Sequence, residues 1–145
     1  MKLINNTKDF LASLKLDSKL SLPIKNFQID SRKVQKNSVF FGLNGLNEDG
    51  SIYAEDAIKQ GASLAIIKKS KTVDSIYHSS KIIKVQSPED ILIKAAEIAM
   101  ERFKGNIIGV TGSNGKTTTK NILNTCIKNS YATYQNYNNE IGLPL

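Results

Sequence analysis

Cysteine and histidine are scarce in this chain, since each occurs only once. Cys126 has no second cysteine with which to form an intramolecular disulfide, and this favours a reducing compartment. It shares one face of a predicted helix with Ile122, Leu123 and Ile127, so we expect it to be buried in packing and not to act as a nucleophile. His78 lies in a polar stretch without the partners that a metal site or a Ser-His relay would require.

Arginine is also rare, because the 20 basic residues include only Arg32 and Arg102. The other basic residues are lysines spread along the chain, and they give a formal net charge of +7. Recognition of bases in a duplex usually relies on arginine, which is scarce here. Proteins that bind single-stranded nucleic acids stack the bases on aromatic side chains, and this sequence shows no such platform. We therefore expect no nucleic-acid partner and rank nucleic-acid binding last among the possible functions.

Long hydrophobic runs are absent as well. No segment approaches the length that spans a bilayer, and the first residues lack the apolar core of a signal peptide. We expect a cytoplasmic monomer with no membrane insertion. The 145 residues, of which 40% are hydrophobic, suffice for one domain, or for one small domain and part of another.

Helix and strand signals alternate along the chain and predict an α/β fold. Thr7 is the predicted N-cap of the first helix, Gly61 ends the second, and Ser87 with Pro88 opens the third. Helices are predicted over residues 7–16, 53–60, 88–103 and 118–129, and strands over 24–29, 38–43, 64–67, 82–85, 107–110 and 131–135.

A domain boundary is predicted near Lys104 and Gly105, which divides the chain into residues 1–104 and 105–145. The second unit contains two predicted strands and one helix, and so small a parallel sheet cannot bury both of its faces. We therefore expect the second unit to be truncated and the chain to be the front part of a longer protein.

The segment T-G-S-N-G-K-T has the order of a phosphate-binding loop, because a predicted strand precedes it and a predicted helix follows it. Gly112 and Gly115 let backbone N–H groups approach an anion at the start of a helix. Lys116 supplies a charge for terminal phosphates, and the Thr117 hydroxyl can reach a magnesium ion. The candidate phosphate-binding residues are Thr111, Gly112, Ser113, Asn114, Gly115, Lys116 and Thr117.

The match to the general pattern G-x-x-x-x-G-K-[ST] is incomplete, because Val110 stands where the first glycine would be. The alternative interpretation is an ordinary turn between a strand and a helix, with Lys116 in solvent. The surrounding charge favours phosphate, since no Asp or Glu occurs between Glu101 and Glu140 while several lysines do. This local excess of positive charge suits a polyphosphate ligand.

Several motifs in a fixed order resemble the Mur ligases of peptidoglycan synthesis. They are Asp30-Ser31-Arg32, residues 39–43, 45–50 and 57–62, and the loop 111–117, so the resemblance spans residues 24–145. That family's loop is T-G-[ST]-x-G-K-[ST], which accounts for Val110. Residues 117–120 and 137–145 most resemble the ligases that add D-alanyl-D-alanine, and the ligases that add the third amino acid are the nearest alternative.

The resemblance implies a three-domain enzyme. Residues 1–104 would be a small α/β domain that binds a UDP-N-acetylmuramoyl-peptide, and residues 105–145 would begin a central, P-loop-type ATP-binding domain. In such ligases ATP, with Mg²⁺, phosphorylates the substrate carboxylate, and the amine of D-alanyl-D-alanine then displaces phosphate from the acyl phosphate. Lys116 would be catalytic, and Thr117 would be a metal ligand.

The resemblance also implies substrate contacts, whose residues are Asp30, Ser31, Arg32, Asn47, Asn138 and Asn139. Two structural alternatives stay open: an Asx-type turn at Asp30 with Arg32 in solvent, and capping of a helix near Ile141 by the two later asparagines. The family often has a histidine where this chain has Ser51. A stand-alone module that binds a nucleotide-sugar or polyphosphate without catalysis is the second class of function.

Overall fold

A computed structural model describes residues 4–17, 19–45, 48–69 and 80–133, and it confirms the α/β class. No helix in these ranges combines the length and the hydropathy needed to cross a membrane. The helices are α1 (Thr7–Ser13), α2 (Ala54–Lys59), α3 (Pro88–Arg102) and α4 (Lys116–Cys126), and the strands are β1 (Asn26–Gln28), β2 (Ser38–Phe41), β3 (Leu64–Lys68) and β4 (Ile82–Val85).

The four strands form one parallel sheet in the order β1-β2-β3-β4. Phe27 pairs with Val39, Val39 with Leu64, and Ala65 with Ile82, so each strand lies beside the next one along the chain. Because all strands run the same way, the loops that follow them emerge at one edge. We call this the carboxyl edge of the sheet.

Both faces of the sheet are covered, which is typical of parallel sheets. Alternation along β2 sends Val39 and Phe41 into the cluster formed with α1 and α3, and Phe40 into the cluster formed with α2. Phe40 and Phe41 are 1% and 0% exposed. Burying a side chain of this size stabilises the fold by roughly 1.5–3 kcal/mol.

Several predicted boundaries are confirmed. β4 occupies the predicted residues, and α3 begins at Pro88 with the Ser87 hydroxyl accepting from the Asp90 N–H. Gly61, at φ 109°, follows the end of α2. β1 is shorter than predicted, because the Ile24 N–H donates to Asn5 O of the amino-terminal arm and not to the sheet.

The first helix begins at residue 7 as predicted, but its predicted N-cap and its predicted end were wrong. Asn6 is the N-cap, and its side chain accepts from the Asp9 N–H. Thr7 is instead fully buried; its hydroxyl donates to Leu20 O at 2.7 Å and accepts from the Leu22 N–H at 2.9 Å. The helix ends at Ser13 and not at residue 16, since Lys15 adopts a left-handed conformation at φ 59°.

The second unit differs from prediction in three respects. Residues 107–110 form no strand, and neither do residues 131–133 of the strand predicted over 131–135, because no described strand pairs with them. Residues 134 and 135 lie outside the described residues. α4 begins at Lys116, two residues earlier than predicted, and ends at Cys126. Cys126 is exposed, contrary to the prediction of buried packing, because α4 contributes no buried residue to the described structure.

The buried hydroxyl of Thr7 provides a test of the amino-terminal arm. We expect Thr7→Val to lower the free energy of unfolding by about 1–3 kcal/mol, because valine keeps the shape but removes the acceptor of the Leu22 N–H. Urea denaturation followed by circular dichroism measures the change. Thr119→Val, at an exposed position, is the control and should stay within about 0.5 kcal/mol; equal effects of the two variants would contradict the assignment.

Candidate functional site

The carboxyl edge of the sheet carries the first group of candidate residues. Asp30 lies two residues after the end of β1, and a 3₁₀ turn over Ser31–Lys33 comes next. The loop after β2 returns to the sheet through a second 3₁₀ turn, Gly50–Tyr53. Ligands of open parallel sheets bind outside the carboxyl ends of the strands, so the predicted residues Asp30, Ser31 and Arg32 lie at the expected edge.

Asp30 and Arg32 form a bidentate salt bridge with each other. Asp30 Oδ1 accepts from the Arg32 backbone N–H at 3.1 Å and from Arg32 Nε at 2.9 Å, and Oδ2 accepts from Nη2 at 2.9 Å. This bidentate bond with the guanidinium lowers the pKa of Asp30 from its ordinary value and raises that of Arg32. The Asx-type turn is therefore present, and it orients the Arg32 side chain, which is 87% exposed.

Two residues that the sequence did not single out lie close to this pair. The Tyr53 hydroxyl donates to Glu48, which raises the pKa of the phenol, and the charge of Arg32 opposes that rise. We call Asp30, Arg32, Glu48 and Tyr53 the edge patch. A signal existed in the sequence, because an acid and an aromatic residue flank the D-G dipeptide of the motif over residues 45–50.

Ser51 closes the base of the loop after β2 and does not face the patch. It is 3% exposed; its hydroxyl donates to Gly42 O and accepts from the Lys68 N–H, each at 3.3 Å. Asp49 caps the turn by accepting from the Ser51 N–H at 2.9 Å. Ser51 thus ties the end of β2 to the end of β3, and a ligand contact of the kind made by a histidine at this position is not available from it.

The phosphate-binding loop is the second candidate site. Gly112 and Gly115 have φ values of 146° and 77°, which residues with a Cβ rarely adopt. Gly115 is the N-cap residue of α4 without a capping side chain, so an anion can occupy the position that such a side chain would take. A Cβ added at Gly115 would meet no atom within 4 Å, which shows that the space beside the loop is open.

Lys116 is the first residue of α4, and its ammonium group donates to Gly112 O. The positive charge therefore lies over the loop that precedes the helix. Lys120, one turn later, donates to Thr133 O at 2.5 Å. The helix dipole adds to these charges at the amino end of α4, so the loop is a strongly anion-attracting part of the described chain.

The remaining predicted residues divide into two groups. Thr111, Ser113, Asn114 and Thr117 lie in or next to the loop and are exposed. Asn47, Asn138 and Asn139 lie outside the described residues, as does His78.

Two family models match the sequence. Residues 23–106 match the model described as "Mur ligase family, catalytic domain", and residues 110–145 match the "Mur ligase middle domain". The chain belongs to the Mur ligase family. The resemblance inferred from the motifs is therefore confirmed, whereas the predicted boundary near residue 105 and the roles of individual site residues remain predictions.

Relatives from two ligation steps are similar to this chain. It is 33% identical over 144 residues to the UDP-N-acetylmuramoyl-tripeptide–D-alanyl-D-alanine ligase of Rickettsia prowazekii, and the alignment covers 97% of this chain and 31% of that ligase. It is 36% identical over 109 residues to the UDP-N-acetylmuramoyl-L-alanyl-D-glutamate–2,6-diaminopimelate ligase of Clostridium tetani, covering 71% of this chain and 22% of the relative. The chain thus spans less than a third of either relative.

A solved structure supports the fold. The MurF ligase of Thermotoga maritima in complex with ADP superposes with a TM-score of 0.66 and 38% identity, covering 83% of this chain and 28% of that one. The α/β architecture is therefore that of a Mur ligase.

The close approach of Gly42 and Ser51, at the base of the loop that follows β2, provides a second test. A Cβ at Gly42 would lie 2.8 Å from Ser51 Cα, so we expect Gly42→Ala to cost about 1–3 kcal/mol of stability through overpacking. Gly109→Ala is the matched control, since a Cβ there would meet nothing within 4 Å. Thermal unfolding should show a clear loss for the first variant and none for the second; tolerance of both would contradict the packing described.

The ion pair between Asp30 and Arg32 provides a third test. We expect Arg32→Ala to raise the pKa of Asp30 toward its ordinary value of 3.8, because the side-chain hydrogen bond from Arg32 is the main cause of the lowered pKa. NMR titration of the Asp30 carboxyl carbon measures this. Because the folded pKa is depressed, the pair stabilises the fold above the unfolded pKa, and this contribution disappears as pH falls through the folded pKa.

Lys33→Ala is the matched control for that titration, since the charge of Lys33 is the smallest cause of the shift. It should move the Asp30 pKa less than Arg32→Ala does. A titration curve of Asp30 that is the same with and without Arg32 would show that the pair does not form in solution.

Proposed function

We propose that the full-length protein is an ATP-dependent ligase of peptidoglycan precursor synthesis that joins D-alanyl-D-alanine to a UDP-N-acetylmuramoyl-tripeptide. The observation that carries this proposal is the phosphate loop, in which two left-handed glycines lead into the amino end of α4 at Lys116. We further propose that the protein acts in the cytoplasm as a monomer.

The geometry of the loop fits ATP. The open space beside Gly115 and the uncapped start of α4 offer backbone N–H donors to phosphate oxygens. The Lys116 ammonium group, now on Gly112 O, needs only to rotate from this neutral carbonyl to reach a phosphate. An ammonium ion binds a phosphate oxygen more strongly than a neutral carbonyl, so ATP would displace this contact.

Lys116 would act during transfer of the γ-phosphoryl group to the substrate carboxylate. Negative charge redistributes over the phosphoryl oxygens and the departing ADP in that step, and a fixed cation beside them lowers the barrier. Mg²⁺, when bound, offsets the charge of the ATP phosphates, and we assign the Thr117 hydroxyl as one of its ligands. The resulting acyl phosphate is the mixed anhydride that the dipeptide amine attacks, releasing inorganic phosphate.

The edge patch would bind the nucleotide end of the substrate. Asp30 engages two of the five N–H donors of Arg32, and the rest of this exposed guanidinium is free to bind a diphosphate. Ser31, next to it, supplies a hydroxyl at the same edge. We assign Asn47 to the same substrate and Asn138 and Asn139 to the region near the phosphates and the peptide, on the basis of the motif alone.

Coverage in one pair of relatives supports the dipeptide-adding step. The dipeptide-adding relative of Rickettsia prowazekii aligns along 97% of the chain, whereas the diaminopimelate-adding relative of Clostridium tetani aligns along 71%. The identity is slightly higher for the second relative, at 36% against 33%. Addition of the third amino acid to the UDP-N-acetylmuramoyl-dipeptide is therefore the alternative reaction.

Lys116→Ala in the full-length enzyme tests the assignment. We expect turnover to fall at least about a hundredfold, because removing one preorganised charge from a transition state costs roughly this much. Phosphate release from ATP, with UDP-N-acetylmuramoyl-tripeptide and D-alanyl-D-alanine present, measures the rate. Binding of the UDP-sugar peptide by calorimetry should stay within about twofold, since that ligand is assigned to the edge patch.

Lys128→Ala, which removes an exposed lysine just beyond α4, is the matched control and should retain wild-type turnover. Unchanged turnover in Lys116→Ala would refute the role of the loop. Phosphate release that requires a diamino acid and the UDP-dipeptide, and not D-alanyl-D-alanine, would establish the alternative reaction. Binding of UDP-sugar peptide without phosphate release in either assay would favour the non-catalytic module.

A further inference from the structure

The loop after β2 is fixed to the sheet at its base and to a distant helix at its outer part. We call residues 42–45 and 48–53 the edge loop. At its base, the Gly50 N–H donates to Leu43 O at 2.8 Å and the buried Ser51 hydroxyl binds Gly42 O. Farther out, the Gly45 N–H donates to Glu48 O at 2.8 Å, which joins the two described parts of the loop.

Glu89, in the first turn of α3, reaches the outer part of the edge loop at Asn44. Its Oε1 accepts from the backbone N–H of Asn44 at 2.9 Å, across 45 residues of sequence. Its Oε2 accepts from the Ser87 hydroxyl at 3.3 Å, and that hydroxyl also caps the helix through the Asp90 N–H. Both carboxylate oxygens are therefore held, and a side chain fixed in this way can fix its partner.

The position of α3 makes this contact possible. The helix packs against β2 and β3 on one face of the sheet, and its amino end starts directly after β4 at the carboxyl edge. Asn44 is exposed, and it pairs with Asp49 in an isolated antiparallel bridge that closes the loop. A charge-assisted hydrogen bond to this N–H thus holds the part of the loop that the buried contacts of Ser51 do not reach.

The edge loop carries Glu48 and Tyr53, whose mutual hydrogen bond forms one side of the edge patch, with Arg32 on the other. We propose that Glu89 is a positioning residue, which holds the edge loop so that Glu48 and Tyr53 stay aligned with Arg32 for binding of the UDP-sugar peptide. This inference rests on the proposed function of the patch. It assigns no chemistry to Glu89, which acts through Asn44.

Three variants of the full-length enzyme separate positioning from charge. Glu89→Ala removes the acceptor. Glu89→Gln keeps an oxygen for the Asn44 N–H and places an amide beside the Ser87 hydroxyl, which can accept from it. Asp90→Ala is the matched control, because it removes an exposed acid from the same turn of α3 while leaving the bond to Asn44 in place.

Calorimetry with UDP-N-acetylmuramoyl-tripeptide should show about tenfold weaker binding for Glu89→Ala, the order expected when a hydrogen bond to a charged group is lost. The dissociation constants of Glu89→Gln and Asp90→Ala should stay within about twofold of wild type. At saturating substrate, the turnover of all three variants should equal that of wild type, because the proposal gives Glu89 a role in binding alone and none in phosphoryl transfer. Amide exchange at Asn44 should accelerate in Glu89→Ala alone.

Two results would overturn the inference. One is wild-type affinity in Glu89→Ala despite faster exchange at Asn44, which would make the contact merely structural. The other is equal weakening in Glu89→Gln and Glu89→Ala, which would make the charge of Glu89 the relevant property. If wild-type enzyme does not bind the UDP-tripeptide at all, the proposed function of the patch fails and this inference with it, while the exchange rate at Asn44 still reports whether the contact exists.

Discussion

β2 is buried along its whole length, and the architecture of the first part of the chain depends on this strand. It pairs with β1 on one side and β3 on the other, and its side chains alternate between the two hydrophobic clusters. A strand in this position cannot slip by one residue without moving its phenylalanines to the wrong face. Its carboxyl end is thereby fixed, and with it the starting point of the edge loop and the edge to which Asp30 and Arg32 belong.

The phosphate loop depends on different physics. Its shape follows from local conformation, because two glycines at positive φ and the start of α4 suffice to aim N–H groups at an anion. This explains why the loop has its expected form although residues 107–110 are not paired as a strand. The edge patch, in contrast, exists only because the segments that follow β1 and β2 emerge side by side at one edge of the sheet, so it is a property of tertiary structure.

The same distinction explains how far the sequence could predict the molecule. Local signals such as Ser87 with Pro88 and Gly61 were interpreted correctly because each acts within a few residues. The loop glycines have the positive φ that a tight turn requires, while their contact with phosphate stays a prediction. Thr7 looked like a capping residue, yet a partner 15 residues away binds its hydroxyl. Cys126 is exposed because no described element packs on α4. Helical periodicity predicts which residues share a face, but it cannot predict whether another element covers that face. Glu48, Tyr53 and Glu89 were missed because their contacts join segments that only the folded sheet brings together.

The residues proposed to bind the substrate and those proposed to act in phosphoryl transfer lie in different parts of the chain. The residues that we assign to the nucleotide end of the substrate precede α3, and those that we assign to phosphoryl transfer follow it. The tether between Arg102 and Thr111 is short and spans at most about 30 Å when fully extended. Phosphoryl transfer requires the reacting atoms to approach within roughly 3–3.5 Å. Under these assignments, the sugar and peptide of the proposed substrate would bridge the distance from the carboxyl edge to the loop, so the proposed function predicts that the length of the precursor contributes to specificity.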